Sequence, residues 1–385
     1  RSTPIKSSAA SDVYKRQART CNLSYLQTDW YIDQMRRPAY DSPSLPISWT
    51  RLQYVTGTRE GIPVQPDALQ QVIDYYKDSP EDLKQMLGDN PYELKNIIRH
   101  WVLNDNPDLQ IFPTDSIVVT VDKEAVKRSG MMIAADSIPD VMHISLKGKR
   151  AVYKSEMMML EMISQANWER PLYMSTTVGP DNYGHLGDNF VQEGLACRIT
   201  PFDTKQSGRT IDSERMYNNM MNKFKYGGLK ENPDIYLDET VIRMCYTHRR
   251  LFNQLAQQLL KEGQKDKALK VLQRAEEEIP GSIVPHEAFY GHSLELADAW
   301  LALGHKAEAE KLLNAVGQNA REYIEWYLSL NTQRLLQSSR ECLMQIYILN
   351  DIAKTWEPID KKKAETYRME VNNYASRCHQ RGMSL

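Results

Sequence analysis

The sequence predicts a mixed, α+β fold, in which a small α/β layer domain is followed by an all-helical stack. Between residues 111 and 235, short segments rich in β-branched residues are bounded by turn residues, as strands are. From residue 236 onward, apolar residues recur with helical spacing almost without interruption. At about 150 residues per domain, the chain of 385 residues has room for two to three domains.

The composition is typical of a globular protein. Hydrophobic residues make up 41% of the chain and charged residues 25%. No apolar run approaches the roughly 20 residues of a membrane-spanning helix, so we expect this chain not to span a membrane. The formal net charge of −2 lacks the positive excess that nucleic-acid binding needs, so we predict no nucleic-acid partner.

Residues 1–17 are small, polar and basic, without the apolar segment of a secretory signal. They resemble a translated adapter sequence and have neither helical nor strand periodicity. We therefore expect a non-native leader and leave it out of the predicted fold.

Residues 18–110 are predicted to form an opening strand and helix followed by a small helical layer. Residues 21–37 have the pattern of a strand running into a helix. Helical spacing returns at residues 67–77, 80–87 and 91–102. Pro80 and Pro91 occupy helix-start positions after the capping residues Ser79 and Asn90.

Residues 111–235 are predicted to form the α/β domain. The expected strands are residues 116–121, 141–146, 151–153, 172–178 and 195–200. A methionine-rich helix at residues 154–167 lies between two of them. The order strand, helix, strand predicts a βαβ unit with a right-handed crossover.

Residues 236–385 are predicted to form a tetratricopeptide-like helical domain. Residues 251–281 place large and small apolar residues where a tetratricopeptide helix pair does, with Gly263 at the turn. A weaker copy follows 41 residues later, with Gly304 at its turn, and residues 283–292 are then an insertion. Residues 323–347 and 361–377 are expected to be capping helices.

One loop holds the densest group of polar side chains, and it follows a predicted strand. At this position the side chains could hydrogen-bond sugar hydroxyls or bind a cation. The alternative, which we favour, is a turn in which Asp and Asn bond their own backbone. The candidate substrate-binding residues are Asp181, Asn182, Tyr183, His185, Asp188 and Asn189.

No catalytic, metal or cofactor site is predicted. The chain lacks the common glycine-rich nucleotide motifs and the metalloprotease and serine-hydrolase signatures. Its cysteines form no C-x-x-C pair, so we interpret them as ordinary buried thiols that do not identify a cellular compartment. They are Cys21, Cys197, Cys245, Cys342 and Cys378.

Several uninterrupted blocks resemble the C-terminal, extramembrane part of a bacterial multipass membrane family, domain of unknown function 2723. This family is classed as glycosyltransferase family 117, and its membrane half is similar to protein O-mannosyltransferases. The blocks are residues 21–37, 40–48 (YDSPSLPIS), 128–133 (RSGMMI), 188–201 (DNFVQEGLACRITP) and 247–252 (THRRLF).

The resemblance implies an inner-membrane enzyme that uses a lipid-linked sugar, with this part on the periplasmic side. In such enzymes the catalytic acidic residues lie on loops of the membrane half, so none is carried over here. We therefore expect a non-catalytic extracytoplasmic region that positions the membrane-embedded half or an acceptor protein or glycan. We also expect the intact reading frame to encode apolar segments of about 20 residues upstream of Ala18.

Two other functions stay open. A stand-alone adaptor would bind a partner peptide through the helical repeats. An independent hydrolase would use the loop of residues 181–189. Separately, Asp115-Ser116-Ile117 and Asp136-Ser137-Ile138 resemble the acceptor tripeptide of a periplasmic O-glycosylation system, so the chain is itself a candidate for modification.

Overall fold

The computed structural model describes residues 19–39, 42–131, 138–232 and 234–383. It divides the chain into two compact units, Arg1–Asn219 and Met220–Leu385. The first unit contains small antiparallel sheets and the second is a helical stack, so the predicted mixed fold class is confirmed. The predicted leader at residues 1–17 lies outside the described residues. The predicted boundaries at residues 110 and 235 remain predictions.

The elements of the first unit are short. Its α-helices are α1 Asp29–Met35, α2 Arg51–Tyr54, α3 Ala68–Tyr75, α4 Pro80–Leu87, α5 Leu94–Ile97, α6 Lys123–Arg128, α7 Lys154–Ala166, α8 Thr204–Ser207 and α9 Ser213–Asn218. Its strands are β1 Gly61–Pro63, β2 Ser116–Thr120, β3 Val141–Ser145, β4 Ala151–Tyr153, β5 Tyr173–Ser175, β6 Phe190–Gln192 and β7 Ala196–Ile199.

The strands form three separate small sheets, and every ladder among these strands is antiparallel. Strand β1 pairs with β4, β2 pairs with β3, and the third sheet has the order β5-β7-β6. The predicted βαβ unit is therefore wrong, because α7 connects strands of two different sheets. Strands β4 and β5 each bury only their central residue, Val152 or Met174. Such alternation is typical of antiparallel strands with one wet face, whereas parallel strands are buried on both faces.

Helix α7 is the buried centre of the first unit. Its methionines lie in the main hydrophobic core, each contributing about 1.5–3 kcal/mol by burial. The fully buried Glu161 accepts hydrogen bonds from the backbone N and Oγ of Ser48, at 2.8 and 2.7 Å. After the helix, Trp168 donates from Nε1 to the carbonyl of Thr120 at 2.7 Å. The buried methionines are Met157, Met158, Met159 and Met162.

The predicted opening strand is wrong, because residues 21–37 contain a 3-10 helix, Leu23–Gln27, followed by α1. Asn22 starts the helical turn by accepting a hydrogen bond from the backbone N of Ser24 at 3.0 Å.

The small helical layer has its own core of Leu69, Leu87, Trp101 and Ile111. The helix expected at residues 91–102 begins only at Leu94 and continues as a π-helix, Ile98–Val102.

The two predicted capping residues of this layer behave differently. Ser79 precedes α4 without a side-chain capping bond. Asn90 accepts a hydrogen bond at Oδ1 from the backbone N of Tyr92 over 3.1 Å.

The second unit is built from long helices in consecutive pairs. They are α10 Glu239–Lys261, α11 Lys265–Glu278, α12 Ser293–Ala302, α13 Lys306–Ser329, α14 Thr332–Gln337, α15 Ser339–Trp356 and α16 Lys361–Gln380. Gly263 and Gly304 form the turns of the two predicted helix pairs, with φ of 75° and 81°. Both turns need the left-handed conformation that glycine adopts without strain.

The predicted capping helix at residues 323–347 is wrong, because the chain is broken there into α13, α14 and α15. Leu330 is extended, and Asn331 caps the new helix by accepting from the backbone N of Arg334 at 3.0 Å. The capping helix expected at residues 361–377 is present within α16.

The insertion at residues 283–292 is fastened by a buried arginine of α10. The Arg249 guanidinium donates to the backbone carbonyls of Ile279, Val284 and Pro285, at 3.0, 2.8 and 3.0 Å.

Within the described ranges, each helix of the chain is too short or too polar to cross a lipid bilayer.

Candidate functional site

The predicted site is the loop between β5 and β6. It contains two 3-10 turns, Pro180–Asn182 and Gly187–Asn189. Between these turns, Gly184 is left-handed, with φ of 56°. A Cβ at this position would overlap the Cε of Met159 and displace the end of that side chain, and the left-handed backbone itself favours glycine.

Three of the six candidate residues hold the loop in place. The buried Asn189 donates from Nδ2 to the carbonyl of Phe202 at 3.1 Å, and its own carbonyl accepts from the backbone N and Oγ1 of Thr200. Asp188 pairs with the Nζ of Lys205 at 2.7 Å. Tyr183 packs edge-on against Phe190, with 5.0 Å between the ring centroids. The Asp188 and Asn189 side chains thus bond residues 17 and 13 positions further along the chain and not their own backbone, so the turn alternative stays a prediction.

The other three candidates face solvent. Asp181, Asn182 and His185 are exposed and lie within five consecutive residues. They offer a carboxylate, an amide and an imidazole, which are groups that hydrogen-bond hydroxyls. A ligand could therefore reach this half of the loop, and its binding role remains a prediction.

Sequence reasoning missed a buried polar cluster beside the loop, centred on Glu193. The Tyr173 hydroxyl donates to Oε2 of Glu193 at 2.9 Å. Among the described residues, no donor makes a hydrogen bond to the other oxygen, Oε1, which lies 3.5 Å from Nε of Arg215 and 3.8 Å from Nη1 of Arg198. Glu193 is 5% exposed and Arg198 1% exposed, so these charges meet away from water.

Burial dominates the electrostatics of this cluster. It raises the pKa of Glu193, although the two guanidinium groups and the Tyr173 hydroxyl act to lower it. It also raises the pKa of Tyr173 to about 12 and that of Cys197 to about 11. A carboxyl group with a raised pKa and a free acceptor oxygen can hold a proton or accept one from a hydroxyl.

No spacing in the sequence points to the cluster. Its residues come from β5, the β6–β7 turn, β7 and α9, which only the folded chain brings together. The available signal was the buried segment of residues 188–201, in which charged residues interrupt a strand pair. In the part of the chain that the structure describes, His, Cys, Asp and Glu side chains nowhere gather in the threes that a metal ion would need.

A separate groove of about 770 Å³ runs along α1. Its lining includes Arg19, the exposed Trp30, Asp33 and Arg37. The Asp33 carboxylate is held by a hydrogen bond from the Tyr54 hydroxyl at 2.6 Å and by an ion pair with Arg51. The groove therefore combines an aromatic surface with fixed charges.

Comparisons with known proteins give one match. A family model described as TMEM260-associated domain 2 matches residues 11–219. This range covers just over half of the chain and includes the loop, the Glu193 cluster and the α1 groove. No curated protein matches the chain, and no solved structure matches it either.

Proposed function

The chain belongs to the family of TMEM260-associated domain 2, a membrane-protein-associated domain, and from this membership we propose that it is the non-catalytic C-terminal region of a membrane glycosyltransferase-like protein. Its partners are then the membrane-embedded half of that protein and an acceptor protein or glycan. Its place is the periplasmic face of the bacterial inner membrane, where the intact protein uses a lipid-linked sugar.

The family match over residues 11–219 is the observation that carries this proposal. The finer identity, domain of unknown function 2723 and glycosyltransferase family 117, comes from the resemblance of the sequence blocks and is part of the proposal. The role follows from proximity, since holding an acceptor beside a membrane site raises its effective concentration without any chemistry in this region.

The surfaces of the two units suit different contacts. In the first unit, the exposed half of the loop, Asp181, Asn182 and His185, is proposed to contact the acceptor through hydrogen bonds. In the second unit, Tyr323 and Trp326 lie one turn apart on α13 and are both exposed. Exposed aromatic side chains are enriched where proteins bind partners.

The test uses the intact parent protein in its own host, with acceptor glycosylation measured by mass spectrometry. A variant with Asp181→Ala, Asn182→Ala and His185→Ala is expected to lower acceptor occupancy several-fold. The matched control, Lys77→Ala with Asp78→Ala, changes exposed polar residues that follow α3 and is expected to leave occupancy unchanged.

Further outcomes separate this proposal from the adaptor alternative, which the exposed aromatic residues of the helical unit favour. Deleting residues 251–385 is expected to alter glycosylation if the region positions the acceptor. An adaptor would lose partner capture and leave glycosylation unchanged. Unchanged glycosylation in both the deletion and the triple variant would contradict the proposal.

A further inference from the structure

Two buried cysteines meet between the last two helices of the second unit. The Sγ atoms of Cys342 on α15 and Cys378 on α16 are 3.9 Å apart. Both side chains are fully buried. Among the described residues, no other pair of cysteine sulfurs is within contact distance. The fold thus selects one pair out of five cysteines that the sequence spaces widely.

Helix α16 packs along α15, and further contacts tie α16 to α13 and to the residue that follows α13. Arg377, next to Cys378, makes two hydrogen bonds to the Glu325 carboxylate, at 2.6 and 2.7 Å. Arg381 donates to the carbonyls of Leu328 and Leu330, both at 2.7 Å. The pairing of the sulfurs therefore belongs to the packed helices and is not a chance approach of mobile side chains.

We propose that Cys342 and Cys378 form a disulfide that fastens α16 to α15 when the chain folds in an oxidising compartment. The oxidant is a small or protein disulfide, such as glutathione disulfide or a thiol–disulfide oxidoreductase. This inference goes beyond the proposed function and does not rest on it, because it concerns only the helical unit and its oxidation state.

The chemistry balances as two exchange steps. One cysteine thiolate attacks glutathione disulfide, its S–S bond breaks, and the first glutathione leaves as a thiol with the proton. The second cysteine thiolate then attacks the protein sulfur of the mixed disulfide and releases the second glutathione thiol. The protein loses two electrons and two protons, and one glutathione disulfide becomes two glutathione molecules. The sulfurs must approach by about 2 Å to reach the bond length of about 2.05 Å.

The same burial sets when the bond can form. It raises the pKa of Cys342 to about 12 and also raises that of Cys378, so few thiolates exist in the folded state. Neither sulfur is open to an external oxidant. Oxidation therefore takes place during folding or when α16 opens, and reduction is slow once the helices have packed.

The test refolds the full chain from urea in a buffer of reduced and oxidised glutathione, followed by alkylation and non-reducing peptide mapping. We expect one linked pair, 342 to 378, and alkylation of Cys21, Cys197 and Cys245. The loop closed by the bond is 36 residues long, so the thermal midpoint of the helical unit should rise by about 10 °C over the reduced chain.

Three single variants complete the test. Cys342→Ala and Cys378→Ala should each abolish both the link and the redox dependence of the midpoint. The matched control Cys245→Ala should retain both. Because the reduced wild type is the reference, the comparison holds even if one core variant folds poorly. Thiols at 342 and 378 that stay alkylatable after oxidising refolding, links to other cysteines, or a link that leaves the midpoint unchanged would each overturn the proposal.

Discussion

Tyr173 on β5 and Glu193 in the turn between β6 and β7 are joined by a hydrogen bond of 2.9 Å. The Tyr173 hydroxyl donates to one carboxyl oxygen of Glu193, while Arg198 and Arg215 approach the other oxygen. The arrangement places an acidic group in a buried site that favours its protonated form.

The stability of the first unit should therefore depend on pH through Glu193. Because its folded pKa is raised above the value of about 4.5 of the exposed group, the folded state binds a proton more readily than the unfolded state. Relative to Glu193→Gln, the free energy of unfolding of the wild type should fall as the pH rises from 4.5 through the raised pKa. Urea titrations at a series of pH values measure this difference. An exposed control, Glu81→Gln, should show no such trend, and a difference that rises with pH would contradict the assignment.

Asn189→Ala should destabilise the first unit by about 1–3 kcal/mol, because it leaves the buried carbonyl of Phe202 without its donor. The control Asn182→Ala removes an exposed amide from the same loop and should change stability by less than about 0.5 kcal/mol. Urea unfolding followed by tryptophan fluorescence measures both. Equal effects would mean that Asn189 does not hold the loop.

Gly263→Ala should destabilise the helical unit by about 1 kcal/mol, because the turn between α10 and α11 holds this residue at φ 75°. Apart from the neighbouring residues in sequence, no atom of the described chain lies within 4 Å of a Cβ there, so the cost is conformational and not steric. Gly227 has equally open surroundings without a left-handed φ, and Gly227→Ala is the matched control. Thermal unfolding that ranks the control as the more damaging variant would refute the argument.

Arg249→Met should destabilise the helical unit by about 3 kcal/mol, since it leaves the buried carbonyls of Ile279 and Val284 and the partly buried carbonyl of Pro285 without their donor. The control Lys261→Met removes an exposed cation near the end of the same helix and should change stability by less than about 0.5 kcal/mol. Hydrogen exchange should show faster exchange around residues 283–292 in the first variant alone. Protection that is the same in both would contradict the fastening role of Arg249.

Local sequence patterns predicted where the strands lie better than they predicted which strands pair. Residues 116–121 and 141–146 are predicted as strands from their β-branched residues, and the structure has strands at Ser116–Thr120 and Val141–Ser145. The centre of β4 pairs with a residue 90 positions earlier in the chain, and the centre of β5 pairs with one 23 positions later. Local sequence patterns do not show such distant pairings, so they could not predict that β4 and β5 belong to different sheets.

The candidate site could be predicted only in part for the same reason, because local patterns do not show contacts between distant residues. The loop could be located because its polar residues lie close together in sequence, but which of them are held by contacts and which face solvent depends on α7 and on residues 200–205. The Glu193 cluster and the cysteine pair were missed because their members are far apart in sequence. Of the two possible acceptor tripeptides, Ser116 begins β2 and is exposed, and Asp136 and Ser137 lie outside the described residues.

The methionine-rich interior of α7 makes the first unit vulnerable to peroxide once it opens. Exposed thioethers such as those of Met86 and Met369 should react at once, whereas Met158 is shielded until the surrounding sheets separate. A sulfoxide formed there would bring a polar oxygen into the main hydrophobic core. One brief opening in the presence of peroxide would then leave an oxidised methionine behind, which would hinder the unit from closing again.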